Sequence, residues 1–304
     1  MVEMPGGRDR GALAWGRMRV VLIANRASGG GLDPEPFVRE LEAGGRNQVE
    51  VFGCEDEERE KAAAAGPERL VVAGGDGTIG GVAELAGRLD VPLGVIPTGT
   101  ANDFARANGL PRDPLEAARL AATGTATTRL ELGRLADGRP FVNVASAGLA
   151  SVAARRAQPL KPKLGPLAYA VGALRAGATA GALKVSVRAD GRRVFAGDAW
   201  QAVVAVTGAF GGGSGVGGDT SDGRLDVVVI PAGSRAGLVR RAWGLRTHAI
   251  AQQRGIAHDR GRVLEVGLPP GTEFNVDGEV RDGGMERITV EPEAYALIGP
   301  EDAG

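Results

Sequence analysis

The first 124 residues repeat one pattern, a short apolar run followed by a helix-forming segment, and this pattern narrows the possible folds more than any other feature. The apolar runs lie at 19–25, 49–52, 69–73 and 92–96. Strands that alternate with helices build a parallel sheet with helices on its faces. The sequence therefore predicts an α/β domain with a parallel sheet over residues 1–124.

After Gly124 the pattern changes to short strand-like runs separated by glycine-rich and Asp-Gly turns. Helical segments interrupt these runs at 167–180 and 235–249. Short strands joined by tight turns are typical of antiparallel sheets. We predict a mainly antiparallel β-sandwich domain over residues 125–290, with residues 291–304 available to rejoin the first domain.

The composition excludes several classes of function. The 304 residues include 36 Lys and Arg against 37 Asp and Glu, a formal net charge of -1, so we expect no nucleic-acid partner. A single cysteine, Cys54, cannot form an internal disulfide, and two histidines cannot form the usual zinc sites. We find no apolar stretch of signal-peptide or membrane-spanning length, so we predict a cytoplasmic protein.

Glycines surround one carboxylate in the segment VVAGGDGT, residues 71–78. Glycines that follow a parallel strand let phosphate oxygens reach backbone N–H groups, and the next helix adds its positive N-terminal end. Asp76 repels phosphate, so its expected partner is Mg²⁺, a hydroxyl group or a structural amide. The alternative is an ordinary strand-to-helix turn.

A second loop, PTGTANDFAR at 97–106, follows the next strand. Both loops should open at the same edge of the sheet, where ligands of such folds bind. Thr100 offers a hydroxyl and a backbone amide to a nucleotide. Asn102 and Asp103 begin a helix and are explained equally well as capping residues. The two loops together predict a nucleotide-binding site.

These motifs together resemble the diacylglycerol kinase catalytic-domain family, and most closely its bacterial soluble lipid kinases. The resemblance covers nearly the whole chain, and it is specific only as a combination of motifs. The motifs that carry the resemblance are NRASG at 25–29, GGDGT at 74–78, PTGTANDFAR at 97–106, FVNVASAGL at 141–149, GGGSGVGGDTSDGRLDV at 211–227 and VDGE at 276–279.

The resemblance implies ATP and Mg²⁺ as cofactors, with ATP bound between the domains. The nucleotide-binding residues that it implies are Asn25, Arg26, Gly74, Gly75, Asp76, Gly77, Thr78 and Thr100. Glu279 matches the residue that takes the proton of the acceptor hydroxyl, and a carboxylate suits this step of phosphoryl transfer. Asp76 would position Mg-ATP or the hydroxyl, and Asn102 and Asp103 would lie near the substrate. Alone, VDGE also fits a type I′ hairpin turn.

The resemblance also implies a structural metal site away from ATP, formed by Asp219, Asp222 and the backbone carbonyl of Arg224. Hard oxygen ligands of this kind suit Mg²⁺ or Ca²⁺. A solvated acidic turn is the alternative.

The chain departs from the family at two places. Gly80 and Gly81 stand where the family has Asn-Glu, and Gly30 and Gly31 stand where a basic residue is common, which leaves Arg26 to answer the triphosphate charge. The alternatives to a lipid kinase are therefore a nucleotide-binding regulatory protein and a kinase of NAD or of a non-lipid alcohol. The ANDFAR and VDGE segments speak against NAD.

The expected partner is a lipid at the membrane surface, bound peripherally. The helical segment 235–249 and the basic, proline-rich segment 155–167 are candidates for membrane contact or substrate entry, although packed and solvated surfaces explain them equally well. The resemblance also makes a homodimer plausible.

Overall fold

The computed structural model describes residues 17–28, 31–44, 47–149, 181–206, 209–210, 214–215, 222–233, 255–283 and 285–300. The predicted helical segments 167–180 and 235–249, the basic segment 155–167, Asp219 and Gly30 lie outside these ranges. Within the described residues, no helix is long and apolar enough to span a membrane.

The N-terminal half contains a parallel sheet with the strand order β2-β1-β3-β4, as the sequence predicts. Its strands are β1 (Met18–Ala24), β2 (Asn47–Phe52), β3 (Arg69–Gly74) and β4 (Leu93–Pro97). The helices between and after them are α1 (Glu35–Ala43), α2 (Asp56–Ala64), α3 (Asp76–Leu89), α4 (Asp103–Ala107) and α5 (Pro114–Thr123).

Helices cover both faces of this sheet because the strands are apolar on both sides. Strand β3 is buried along its whole length. On one face, α1 and α5 pack against Leu22 and Val71; on the other, α3 packs against Ile23 and Val72. Helix α3 turns an apolar stripe to the sheet, formed by Ile79, Val82, Ala83, Leu85 and Ala86.

The second half is built from antiparallel strands, which confirms the predicted change of architecture. Its first strands are β5 (Thr127–Arg134), β6 (Pro140–Phe141), β7 (Val144–Gly148), β8 (Leu183–Ala189), β9 (Arg192–Ala205), β10 (Ala209–Phe210) and β11 (Ser214–Gly215). They are followed by β12 (Leu225–Pro231), β13 (Ala257–Gly261), β14 (Val263–Gly267), β15 (Glu273–Val276), β16 (Glu279–Asp282) and β17 (Arg287–Ile298). A large apolar cluster that includes Phe141, Val204 and Phe274 forms their core.

Strand β17 connects the two halves. It pairs antiparallel with β5 and β14, and near its end Leu297 pairs parallel with Leu93 of β4. Helix α3 lies close to the same strand. A Cβ atom added to Gly87 would be only 2.1 Å from the carbonyl oxygen of Ala294. The helix that begins at the GGDGT loop is thus held against the strand that the two halves share.

The contact of Gly87 with β17 predicts the stability of a single variant. In Gly87→Ala, the new methyl group collides with the backbone of Ala294, so we expect a net loss of about 1–3 kcal/mol of unfolding free energy despite the better helix propensity of alanine. Urea unfolding measures this loss. The control is Gly299→Ala, whose methyl group would meet nothing within 4 Å. Equal stability of the two variants would contradict the packing of α3 on β17.

Candidate active site

The loops that follow β3 and β4 open at one edge of the parallel sheet, as the sequence predicts, and the loop that follows β1 opens at the same edge. Asn25 follows β1, Gly75 follows β3 and Thr98 follows β4. The hairpin of β15 and β16 faces this edge from the second half of the chain, because the side chain of Glu279 reaches Gly77. The candidate site lies between the parallel edge and this hairpin.

Gly75 and Gly99 bring the two glycine-containing loops into contact. A Cβ atom on Gly99 would lie 2.7 Å from the Cα atom of Gly75, and one on Gly75 would lie 3.3 Å from the Cα atom of Gly99. A side chain at either position would therefore push the loops apart. The bare backbone in GGDGT serves loop-to-loop packing as well as ligand approach.

Asn25 fastens the loop after β1 to the first turn of α3. Its backbone N–H donates to the carbonyl of Ala73 at 2.9 Å, and its side-chain Nδ2 donates to Oγ1 of Thr78 at 2.9 Å. Gly74 leaves room for Thr78, since a Cβ atom there would lie 2.8 Å from the threonine Cβ. These contacts fix the shape of this edge of the sheet.

Asp76 is the first residue of α3, and amide groups surround its carboxylate. Its Oδ1 accepts from the backbone N–H of Phe104 at 2.9 Å and from Nδ2 of Asn143 at 3.1 Å, while Oδ2 accepts from the N–H of Asp103 at 3.2 Å. Burial raises the pKa of Asp76, and the negative charge of Asp103 adds to this effect. Of the partners considered from the sequence, the structural amide is the one that these contacts show.

Asn102 and Asp103 do not cap α4 with their side chains. Asn102 occupies the N-cap position with φ of 50°, but its amide group bonds to the backbone N–H and carbonyl of Gly99 at 2.9 and 3.0 Å. The Asp103 carboxylate accepts from Arg106 at 2.7 Å. Asp76 supplies the cap instead, from another helix, because its carboxylate accepts the first N–H groups of α4.

Asp277 and Asn143 belong to the site, although the sequence analysis assigned a function to neither. The predicted type I′ turn is present, with φ of 46° at Asp277 and 91° at Gly278. The buried carboxylate of Asp277 accepts from the backbone N–H groups of Val142, Asn143 and Val144 at 2.8, 3.0 and 2.9 Å. Burial raises the pKa of Asp277 to about 7, and the charge of Asp76 contributes.

Glu279 lies against the first turn of α3. Its Oε1 would be 2.6 Å from a Cβ atom on Gly77, so a side chain at position 77 would displace the carboxylate from this place. The side chain is 51% exposed and forms an ion pair with Arg281 on the same strand. The hairpin turn thus places a solvent-accessible carboxylate next to the GGDGT loop.

Arg26 and Thr100 lie on the rim of the site and are exposed. Arg26, with Asn25, lines a cleft of about 440 Å³ beside the ends of β1 and β2. The other side of this cleft is formed by Phe52, Glu55 and Glu58. The cleft is open to solvent.

Of the glycines that depart from the family pattern, the two on α3 both lie in close contacts, whereas a Cβ atom on Gly31 would meet nothing within 4 Å. A Cβ atom on Gly80 would be 3.1 Å from the carbonyl oxygen of Pro140, so α3 packs tightly on β6. A Cβ atom on Gly81 would be 3.1 Å from the guanidinium carbon of Arg59. The space above Gly81 is therefore filled by a cation from α2.

The described part of the predicted second metal site shows an ion pair. Both carboxylate oxygens of Asp222 accept from Arg260, at 2.7 and 3.0 Å, and Arg224 is exposed. Asp219 lies outside the described residues. A cation at Asp222 would compete with Arg260, and this site stays a prediction. Among the described residues, no group of three or more His, Cys, Asp or Glu side chains is placed to hold a metal ion.

Comparison with known families matches nearly the whole chain. The model of the diacylglycerol kinase catalytic domain matches residues 19–135, and the model of the YegS C-terminal NAD kinase beta sandwich-like domain matches residues 143–299. Asp76 lies in the first matched region, whereas Asn143 and Glu279 lie in the second. The site is therefore assembled from both regions.

Individual proteins show the same similarity. A probable lipid kinase, YegS-like, of Pseudomonas fluorescens is 33% identical over 254 residues, which are 80% of this chain and 81% of that protein. A diacylglycerol kinase of Bacillus subtilis is 34% identical over 223 residues, or 71% of this chain and 72% of that protein. The crystal structure of a diacylglycerol kinase from Bacillus anthracis has a TM-score of 0.74 at 22% identity, covering 94% of this chain and 98% of that one, which shows a shared fold.

The raised pKa of Asp277 predicts a pH dependence of stability. Between the unfolded pKa of about 4 and the folded pKa of about 7, the unfolded chain has lost a proton that the folded protein keeps, so the free energy of unfolding falls as pH rises. Between pH 4.5 and pH 8, we expect the free energy of unfolding of the wild type to fall by on the order of a few kcal/mol more than that of Asp277→Asn.

Urea unfolding at several pH values, together with ¹³C NMR of the carboxyl group, tests this prediction. Asp282→Asn, which removes an exposed acid of the same hairpin, is the control and should keep the wild-type slope. A titration midpoint of Asp277 near 4, or equal slopes for wild type and Asp277→Asn, would contradict it.

Proposed function

We propose that this chain, which belongs to the diacylglycerol kinase catalytic-domain family, is a lipid kinase that transfers the γ-phosphoryl group of Mg-ATP to a hydroxyl of diacylglycerol or a related lipid. One observation carries this proposal: the accessible carboxylate of Glu279 lies over Gly77, at the start of the helix that Asp76 begins. A proton acceptor thus lies next to a loop suited to phosphate.

The loops at the sheet edge support nucleotide binding. Backbone N–H groups at Gly75 and Gly77, together with the N-terminal end of α3, suit phosphate oxygens. We assign the other phosphate and nucleoside contacts to rim and loop residues of the same edge, which are Asn25, Arg26, Gly74, Thr78 and Thr100. Asp103, whose backbone N–H donates to the Asp76 carboxylate, and Asn102, which precedes it, are proposed to face the acceptor.

The charges of the site fit a magnesium ion that arrives with the nucleotide. Asp76, Asp103 and Asp277 concentrate negative charge in one place, and this charge opposes the ionisation of Asp76 and Asp277. Mg²⁺ in kinase sites needs only one or two carboxylates, because phosphates and waters supply its other ligands. Asp76 is the residue proposed to hold it, and the ion would offset the charge of the phosphates.

Glu279 acts as the general base in this proposal. The acceptor oxygen forms the new bond to the γ-phosphorus while the bond from that phosphorus to the bridging oxygen of ADP breaks. The hydroxyl proton passes to a carboxylate oxygen of Glu279, and ADP leaves. Phosphoryl transfer depends mainly on positioning and charge, so one well-placed carboxylate is sufficient chemistry for the protein. Arg281, paired with Glu279, orients its carboxylate.

The names of the relatives support a lipid as the acceptor. They include a probable lipid kinase and a diacylglycerol kinase. A protein of this kind would reach its substrate by peripheral contact with a membrane surface, and we retain a homodimer as part of the proposal. The rival functions are a nucleotide-binding regulatory protein and a kinase of NAD or of a non-lipid alcohol.

The second cation site is a separate part of the proposal. Asp219, Asp222 and the carbonyl of Arg224 would hold Mg²⁺ or Ca²⁺ away from the nucleotide. This cation would have to displace Arg260, which bonds to both oxygens of Asp222. Catalysis by Glu279 does not depend on it.

A transfer assay tests the proposed reaction. We expect labelled γ-phosphate to pass from Mg-ATP to at least one lipid of a panel that includes diacylglycerol, monoacylglycerol, phosphatidylglycerol, ceramide and sphingosine in mixed micelles. Glu279→Gln should lower kcat at least about a hundredfold, since general-base catalysis contributes that much, while ATP affinity stays within a few-fold. Asp76→Asn should lower kcat and weaken the binding of Mg-ATP.

Asp282→Asn, on the same strand as Glu279, is the matched control and should keep wild-type turnover. If Glu279→Gln retains normal kcat, Glu279 is not the base. If ATP binds but no lipid in the panel is labelled, the regulatory or non-lipid function replaces the lipid kinase. Phosphorylation of NAD in the same assay would identify the NAD kinase alternative.

A further inference from the structure

Gly77 and Gly81 lie four residues apart on helix α3. Residues four apart on a helix lie on the same side, with Cβ positions about 5–6 Å apart. The carboxylate of Glu279 lies over Gly77, and the guanidinium of Arg59 lies over Gly81, with Cζ at 3.1 Å and Nη1 at 3.2 Å from the Cβ position. The helix thus holds an anion and a cation one turn apart.

Arg59 is positioned by contacts that leave part of its hydrogen-bonding capacity unused. Its Nη1 donates to the carbonyl of Cys54 at 2.6 Å, and its Nη2 pairs with the carboxylate of Asp56. The Asp56 side chain is 94% exposed, so this pair is screened by water and easily exchanged. A guanidinium has five N–H groups in a planar fork that matches phosphate oxygens.

The thiol of Cys54 lies within electrostatic reach of both Arg59 and Glu279. Burial and the nearby Glu55 raise the pKa of Cys54, Arg59 lowers it, and Glu279 raises it. Charges on α2 and on β16 therefore both act on one thiol. Arg59 and Glu279 form no ion pair with each other, and each pairs with a residue of its own element instead.

The other described arginines near Glu279 and the GGDGT loop are already paired or lie at the rim. Arg281 is paired with Glu279, Arg106 is paired with Asp103, and Arg26 lies at the exposed rim. A phosphoryl group near Glu279 would face several carboxylates. On the α3 side, Arg59 over Gly81 is a cation that offsets part of this charge.

We propose that Arg59, held on Gly81, binds an anionic phosphate group beside Glu279. A role for Arg59 in catalysis rests on the proposed function, but its binding of phosphate can be measured without turnover. The phosphate is either the terminal phosphate of the nucleotide or a phosphate in the head group of the acceptor lipid. Because Gly81 has no side chain, the guanidinium of Arg59 reaches this phosphate.

Titration calorimetry with pyrophosphate and with Mg-ATP tests the proposal directly. We expect Arg59→Gln to bind at least one of these anions, or the phosphate-bearing lipid phosphatidylglycerol, about tenfold to a hundredfold more weakly. This is the usual effect of one charged hydrogen bond. Arg59→Lys should retain part of the affinity, because it keeps the charge without the fork. Gly81→Ala should lower the affinity for the same anion by less, since the new methyl group displaces the guanidinium without removing it.

Two controls separate binding from structure. Asp56→Asn removes the competing carboxylate and keeps Arg59, so it should leave anion affinity unchanged or improve it. Arg88→Gln removes a different arginine of the same region, one paired with Glu60 on the surface, and should have no effect. The melting temperature of Arg59→Gln should stay close to that of Asp56→Asn.

Steady-state kinetics then distinguish the two sources of phosphate. A higher KM for ATP with every acceptor identifies the nucleotide, whereas a higher KM only for phosphatidylglycerol, with diacylglycerol unchanged, identifies the head group. If no lipid is phosphorylated, the proposed function fails while the pyrophosphate titration still decides the role of Arg59. Unchanged affinities and KM values in Arg59→Gln, or a fall in stability with no change in affinity, would overturn the proposal.

Discussion

The carboxylate of Asp277 is the interaction on which the site depends. Burying a carboxylate is unfavourable unless hydrogen bonds satisfy it, and three backbone N–H groups at 142–144 do so. They fasten the hairpin that carries Glu279 to the strand segment that carries Asn143. Asn143 then donates to Asp76, and Asp76 holds the first N–H groups of α4. One continuous set of hydrogen bonds therefore joins the VDGE turn to both loops at the sheet edge.

Glycine is the second constraint, and each glycine of the loop and of α3 has its own neighbour. Gly75 admits the backbone of Gly99, Gly77 admits the carboxylate of Glu279, and Gly81 admits the guanidinium of Arg59. A side chain at Gly75 would press on the backbone of Gly99, and one at Gly77 or Gly81 would displace the charged group that packs there. The many glycines around Asp76 are thus explained by groups of the protein itself, in addition to any phosphate that binds there.

The sequence predicts the architecture well because its signals are local. The alternating strand and helix patterns predict the parallel sheet, and Asp-Gly predicts the type I′ turn. The contacts of the site are not local: Asp76 meets Asn143 across 67 positions, and Asp277 meets the N–H of Asn143 across 134. No periodicity or turn rule links such positions. For the same reason the sequence left a capping role for Asn102 and Asp103 open, whereas the structure shows the cap coming from Asp76, and it gave no sign of Arg59 over Gly81.

The most direct test of this account is a double-mutant cycle that combines Asp277→Asn with Asn143→Ala, read as kcat for lipid phosphorylation and as unfolding free energy. If one chain of hydrogen bonds positions Glu279 and Asp76 together, the two substitutions break the same element. The double variant should then be little worse than the more harmful single variant, with a coupling of about 1 kcal/mol or more. Independent effects that multiply in kcat would show that Asp277 and Asn143 act separately and would contradict the account.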